Sequence, residues 1–323
     1  MEKRRIAVVA VLITIVSFII VLNAVSTPYS KPETQKIKEQ SYSKTNHFSV
    51  RWMGFFGGYS TQYPEYYICI NDLKENNLTI YIALRIKNQE DQGYHFKIEQ
   101  NATPPAGWVL PSQYIGYVDV DETKDFVYTC YRERPTNIPD GRLTEEISLV
   151  VKAFYDCDCS NLYSQDSFSV KFNFIDLSAP VWTVQYCDNF DDGTTQGWTY
   201  RCYRYGSIDV SNTYYRSFPY SLRLGATYYS AAFRKTFNVG SGEEAYLIFS
   251  IRSDRWAGWG DALRIDFDGE TVFRPDVSPE NNVWYRVCIP IPVGVETTVD
   301  IFAVRGDSTR AYAYLDDVYI IVK

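Results

Sequence analysis

Histidine is almost missing from this chain, with only His47 and His95 present, and neither sits beside a serine or cysteine in a nucleophile motif. There is no His-Glu-x-x-His, no phosphate-cradling glycine loop and no Cys-x-x-Cys. These absences exclude the metalloprotease, nucleotide-binding and zinc-finger chemistries that such spacings serve. Excess positive charge is missing too. The formal net charge is −7, which excludes a phosphate-backbone partner, because nucleic acid binding needs a basic surface. Paired carboxylates can in principle hydrolyse glycosides, but acidic turns alone do not set their separation. The chain is therefore read as a non-enzyme.

Long apolar runs are also scarce, with one exception. Ile6 to Val25 is built of Ile, Val, Leu, Ala and Phe, broken only by Thr14, Ser17 and Asn23, and follows Lys3, Arg4 and Arg5. That length spans a bilayer as a helix, with the basic cluster cytoplasmic. Residues 1–25 are thus expected to be a single-pass signal anchor or, alternatively, a signal peptide cleaved near Ala24-Val25-Ser26. Either way the remainder is expected outside the cell. Residues 26–46 are polar, contain two prolines and read as a spacer.

What the chain has in abundance is tyrosine, 28 residues of it. Tyrosine suits half-wet strands and sugar stacking alike. From residue 47 to 177 short apolar runs recur between turn residues. In Leu78 to Ile86 the even positions are all aliphatic, and Phe168, Val170, Phe172 and Phe174 alternate with Ser169, Lys171 and Asn173. Period-two alternation predicts strands with one buried face, and this segment resembles an immunoglobulin-like or fibronectin type III-like sandwich, without the Cys…Trp…Cys signature of antibody domains. Leu177-Ser178-Ala179-Pro180 marks a boundary, because proline cannot continue a ladder. A second all-β unit is expected over residues 181–323.

That second unit opens with Asp188-Asn189-Phe190-Asp191-Asp192-Gly193 leading to Trp198. It continues with Tyr220-Ser221-Leu222-Arg223-Leu224 and Val283-Trp284-Tyr285-Arg286-Val287, and closes with Asp316-Asp317-Val318. In this order the features resemble jelly-roll carbohydrate-binding modules of the galactose-binding-like fold. The resemblance implies a structural calcium ion held between the first and last segments. Its ligands would be Asp191 and Asp316, with Asp192, Asp317 and Asp188 as further oxygen donors. The alternative is a solvated acidic turn plus a strand carboxylate capping backbone.

The resemblance also implies a glycan or polysaccharide partner. Arg252-Ser253-Asp254-Arg255-Trp256-Ala257-Gly258-Trp259-Gly260-Asp261 offers flat rings for a pyranose face and charged groups for its hydroxyls. Trp256, Trp259, Arg252, Asp254 and Asp261 are the expected ligand residues; the alternative folds both tryptophans back over one end of the sandwich. Tyr214-Tyr215 and Tyr228-Tyr229 read as weaker candidates, since neighbours on a strand face opposite ways. The functional expectation is a displayed glycan-binding protein. The alternative is a structural surface, adhesion-filament or virion component that makes protein contacts. Seven cysteines in an exported chain suggest disulfides, and Cys187 and Cys202 flank the opening motif as one possible staple.

Overall fold

The computed structural model describes residues 43–44, 48–52, 59–60, 65–71, 76–136, 138–202, 205–256, 263–274, 281–306 and 309–323. The expected anchor at 1–25 and most of the spacer at 26–46 lie outside the described residues. Among those described, no helix is long and apolar enough to cross a membrane.

Among the described residues the regular elements are all strands. The first half holds β1 (Ser43–Lys44), β2 (Phe48–Trp52), β3 (Tyr59–Ser60), β4 (Glu65–Cys69), β5 (Asn77–Asn88), β6 (Tyr94–Gln100), β7 (Trp108–Val109), β8 (Gln113–Val118), β9 (Thr123–Glu133), β10 (Arg142–Phe154) and β11 (Leu162–Ile175). The second holds β12 (Thr183–Asp188), β13 (Thr199–Cys202), β14 (Gly206–Ser211), β15 (Ser221–Ala226), β16 (Ser230–Asn238), β17 (Ala245–Ser253), β18 (Arg264–Phe267), β19 (Glu270–Phe273), β20 (Tyr285–Pro290), β21 (Glu296–Arg305) and β22 (Ala311–Val322). The first half pairs as β1-β2-β5-β9-β7 and β3-β4-β11-β10-β6-β8. The second pairs as a third sheet, β14-β15-β22-β17-β20 with β12 beside β22, and a fourth, β13-β16-β21-β18-β19.

The alternation seen in the sequence is what closes each core. Leu78, Ile80, Ile82, Leu84 and Ile86 from β5 meet Val170, Phe172 and Phe174 from β11 in one cluster. Leu222 and Leu224, Leu247 to Ile251 at odd positions, and Ile265 form the other. A third apolar cluster joins the two sandwiches. Tyr67, Cys69 and Ile175 pack there with Trp182, Tyr246, Ile248, Cys288 and Ile321. The Trp182 indole donates to the Gly141 carbonyl at 3.2 Å. Gly141 has φ +72°, and a Cβ there would meet that indole nitrogen at 2.1 Å, so both conformation and contact require glycine.

This shared cluster carries a prediction. Heating is expected to melt both sandwiches in one transition, and Ile321→Asp, by burying a charge among apolar neighbours, to split it into two. Scanning calorimetry decides, and two resolved transitions in the unaltered protein would refute the coupling.

The expected staple between Cys187 and Cys202 is not formed. Cys187 stands on β12 in the third sheet and Cys202 on β13 in the fourth.

Candidate functional site on the third sheet

The third sheet has an inner face in the core and an outer face that is divided in two. On β22, Ala311, Ala313 and Leu315 point into the core, but beyond them Val318, Ile320 and Val322 do so. The change of parity occurs at Asp317, whose φ is +49°. There the pairing with β17 slips from Ser250↔Asp316 to Ile248↔Tyr319, which is the signature of a bulge. On one side of the bulge the outer face carries Ile321 and Tyr319, which pack at the cluster between the sandwiches. On the other side it carries polar and aromatic groups: Tyr312, Tyr314, Asp316, Arg252 and Arg223.

Strand register sets these side chains in a row. Asp209 lies opposite Arg223, Arg223 opposite Tyr314, and Tyr314 opposite Arg252. The Arg223 guanidinium forks onto the Asp209 carboxylate, with Nε donating to Oδ1 at 3.0 Å, and lies 5.2 Å from the Tyr312 ring. Arg310 covers that ring from 5.6 Å.

The loop between β14 and β15 arches back over this face. Asp316 fastens it, accepting the backbone N–H groups of Arg216 at 2.7 Å and Ser217 at 3.0 Å, while Ser221 Oγ donates to the Tyr214 carbonyl. Tyr214 then meets Tyr314 edge to face at 5.1 Å and covers the Arg252 guanidinium at 3.7 Å. Burial of Asp316, opposed by those backbone donors and reinforced by neighbouring Asp317, pushes its carboxyl up to about 6. Farther out on the loop, Phe218 is 76% exposed and meets Tyr215, 40% exposed, edge to face at 5.5 Å. At the opposite end of the β14–β15 hairpin Tyr205 and Tyr228 are also exposed, 6.4 Å apart.

The structure distributes the expected ligand residues unevenly. Arg252 is on this face, donating to Asn282 Oδ1 at 3.1 Å. Asp254 is close by, but its carboxylate accepts the Tyr312 N–H at 2.7 Å, and burial raises its pKa. Trp256 is 6% exposed and packs edge-on against Tyr285 in the core, so its ring offers no free stacking surface. Trp259 and Asp261 lie outside the described residues. Tyr214 and Tyr215, expected to be weak because strand neighbours diverge, belong to a loop, where that rule does not apply. The sequence marks Phe218 only through the turn-like Arg216-Ser217-Phe218-Pro219 stretch between two strand patterns.

Four of the five carboxylates expected to hold calcium have separate partners. Asp188 Oδ2 accepts from Trp198 Nε1 at 2.9 Å and Lys235 Nζ at 2.6 Å. Asp191 accepts from the Asn189 amide, Asp192 caps the N–H and hydroxyl of Thr194, Asp316 holds the loop, and Asp317 sits at the bulge. Among the described residues no three His, Cys, Asp or Glu side chains converge to hold a metal ion, so the residues present do not fit that site.

No protein-family model and no curated protein matches the sequence. Among solved structures, the chain is similar to one described as a carbohydrate-binding module from the β-sandwich superfamily, at 12% identity and TM-score 0.34, over 77% of this chain and 99% of that one. It is similar to the CBM22-1 xylan-binding domain of Paenibacillus barcinonensis Xyn10C at 22% identity and TM-score 0.31, over 44% and 96%. It is also similar to the tandem CBM22-1-CBM22-2 domain of that protein at 13% identity and TM-score 0.32, over 88% of this chain and 85% of that one.

Proposed function

We propose that the C-terminal sandwich binds a glycan non-covalently on the outer face of its third sheet, in a protein displayed outside the cell. Phe218 and Tyr215 supply ring surface for a sugar's apolar face. Asp209, Arg223, Tyr312 and Arg252 supply the hydrogen-bonding floor beside it. One observation carries the reading: an aromatic ring 76% exposed on a loop fastened from beneath by a buried carboxylate. Exposed apolar surface held in place rather than buried marks a recognition site.

Phe218→Ala is expected to leave stability nearly unchanged, because the side chain is exposed, and to weaken binding about tenfold or more, equivalent to roughly 1.4 kcal/mol. Isothermal titration of the full chain against a panel of soluble polysaccharides measures this. Unchanged affinity in a Phe218→Ala, Tyr215→Ala double variant would sink the assignment. A second reading, a structural surface protein with rigid spacer sandwiches, is favoured by the apolar cluster between them. Failure of every polysaccharide to bind would leave that reading in place.

A further inference from the structure

Among the described residues, several guanidiniums already have a carboxylate. Arg85, Arg132, Arg142, Arg201, Arg223, Arg234 and Arg264 each lie within ion-pair distance of an Asp or Glu. Two on the candidate face have none among the described residues. Arg252 has the neutral Asn282 amide and the Tyr214 ring as contacts. Arg310 has the Ser207 hydroxyl and the Tyr312 ring. The nearby carboxylates are otherwise engaged: Asp209 by Arg223, Asp254 by the Tyr312 N–H, and Asp316 by the loop backbone. Asp254 senses the charge of Arg252, but Arg252 makes its hydrogen bond to Asn282.

The position of Arg310 is built into the sheet. It lies across Gly225, where a Cβ would meet its Nε at 2.9 Å and Ser207 Oγ at 3.0 Å. The missing side chain lets the guanidinium rest flat over the strand, held by neutral partners, with its charge available to a ligand. Arg310 itself is exposed. Arg252 reaches the loop through the Tyr214 ring, and Arg310 stands toward the other end of the β14–β15 hairpin beside Ser207 and Gly225, on a chain whose net charge is −7. An indiscriminate attraction to polyanions is therefore not a property of the whole surface.

We infer that the ligand is an acidic glycan, a sugar chain bearing carboxylate or sulfate groups that pair with Arg252 and Arg310. This deepens the glycan reading and rests on it. Guanidinium forks match such oxyanions through paired charge-assisted hydrogen bonds.

The test is titration of the full chain with polygalacturonate and its carboxyl-reduced form, and with a sulfated galactan and its desulfated form. At least one acidic polymer is expected to bind about tenfold or more tightly than its neutral derivative, with affinity falling as salt rises. The pair that shows the difference identifies the anionic group. Arg252→Gln and Arg310→Gln are each expected to remove about tenfold of the acidic-polymer affinity and to flatten its salt dependence. Gly225→Ala, which displaces Arg310, should mimic Arg310→Gln. Equal or tighter binding of the neutral derivatives, or unchanged acidic-polymer affinity in both arginine variants, overturns the inference and leaves the glycan reading standing. Binding of none of the four polymers, or of further neutral polysaccharides, removes both.

Discussion

Asp188→Ala is expected to destabilise the second sandwich by about 3–5 kcal/mol, the usual cost of removing one partner from a buried ion pair. Asp188 is 7% exposed, and its Oδ2 receives both the Lys235 ammonium and the Trp198 indole N–H. Lys235 also donates to the Gln196 carbonyl at 2.7 Å and lies 5.2 Å from the Phe237 ring. Without the carboxylate, a nearly buried ammonium would keep one carbonyl and the aromatic rings, and the indole N–H of a fully packed tryptophan would lose its acceptor. Typical domain stability is only about 5–15 kcal/mol, so the loss approaches the whole. Asp188→Asn keeps an acceptor for Trp198 but not the charge, and is expected to fall between alanine and wild type. Urea denaturation measures the series. Calcium is expected to raise the midpoint of none of them; a calcium-dependent rise in the unaltered protein would show that these carboxylates hold the ion rather than Lys235.

The opening acidic motif shows how the sequence is legible as fold and less so as chemistry. Phe190 and Trp198 anchor it, being 0% and 2% exposed, and the residues between them close a self-capped turn through Asp192, Thr194 and Gln196. An Asp-rich turn and a cation site share composition, and only the third dimension separates them. The alternating strands were readable because period two projects directly onto the two faces of a sheet. Leu78–Ile86 and Phe168–Phe174 fill the first core as that alternation requires. Breaks in alternation carried information as well. Asp316-Asp317 interrupts β22 where the bulge exchanges inward and outward positions, and this exchange turns one end of the face toward the first sandwich and leaves the other end polar. The Arg252–Trp256 segment misled because charged neighbours make Trp256 look exposed. Ser253 and Asp254 are instead tied to β22, which carries Trp256 back onto Tyr285. Which loop arches over a sheet depends on a long-range partner, here Asp316 reaching the backbone of residues 216 and 217, and no local pattern records it.

The same contact predicts a stability profile against pH with its maximum on the acid side of neutrality. Asp316 is wholly buried, with Ser250 opposite it on β17 and Asp317 beside it in the chain; Arg286 donates to Ser250 Oγ and to the Asp317 carbonyl rather than to Asp316. Its carboxyl is raised from 3.8 to about 6, chiefly by burial. A carboxyl whose pKa is higher folded than unfolded binds more protons in the native state. Its contribution is therefore complete below the unfolded value and is lost as pH rises through about 6. A displacement of roughly two units corresponds to about 3 kcal/mol between the two limits. Glu99 acts in the opposite sense. Hydrogen bonds from Lys152 and Lys97 hold it down at about 2, so its contribution is present above the ordinary glutamate range and disappears as pH falls toward about 2. Between the two windows stability should peak near pH 5, and Asp316→Asn should make the decline from there to pH 7 shallower, leaving the smaller part that the raised Asp254 carboxyl contributes, with the acid limb unchanged. Urea midpoints across pH 3 to 8 read both limbs. A wild-type midpoint that climbs steadily from pH 5 to 7, or an asparagine variant whose decline is undiminished, would show that Asp316 is ionised at no cost where it holds the loop.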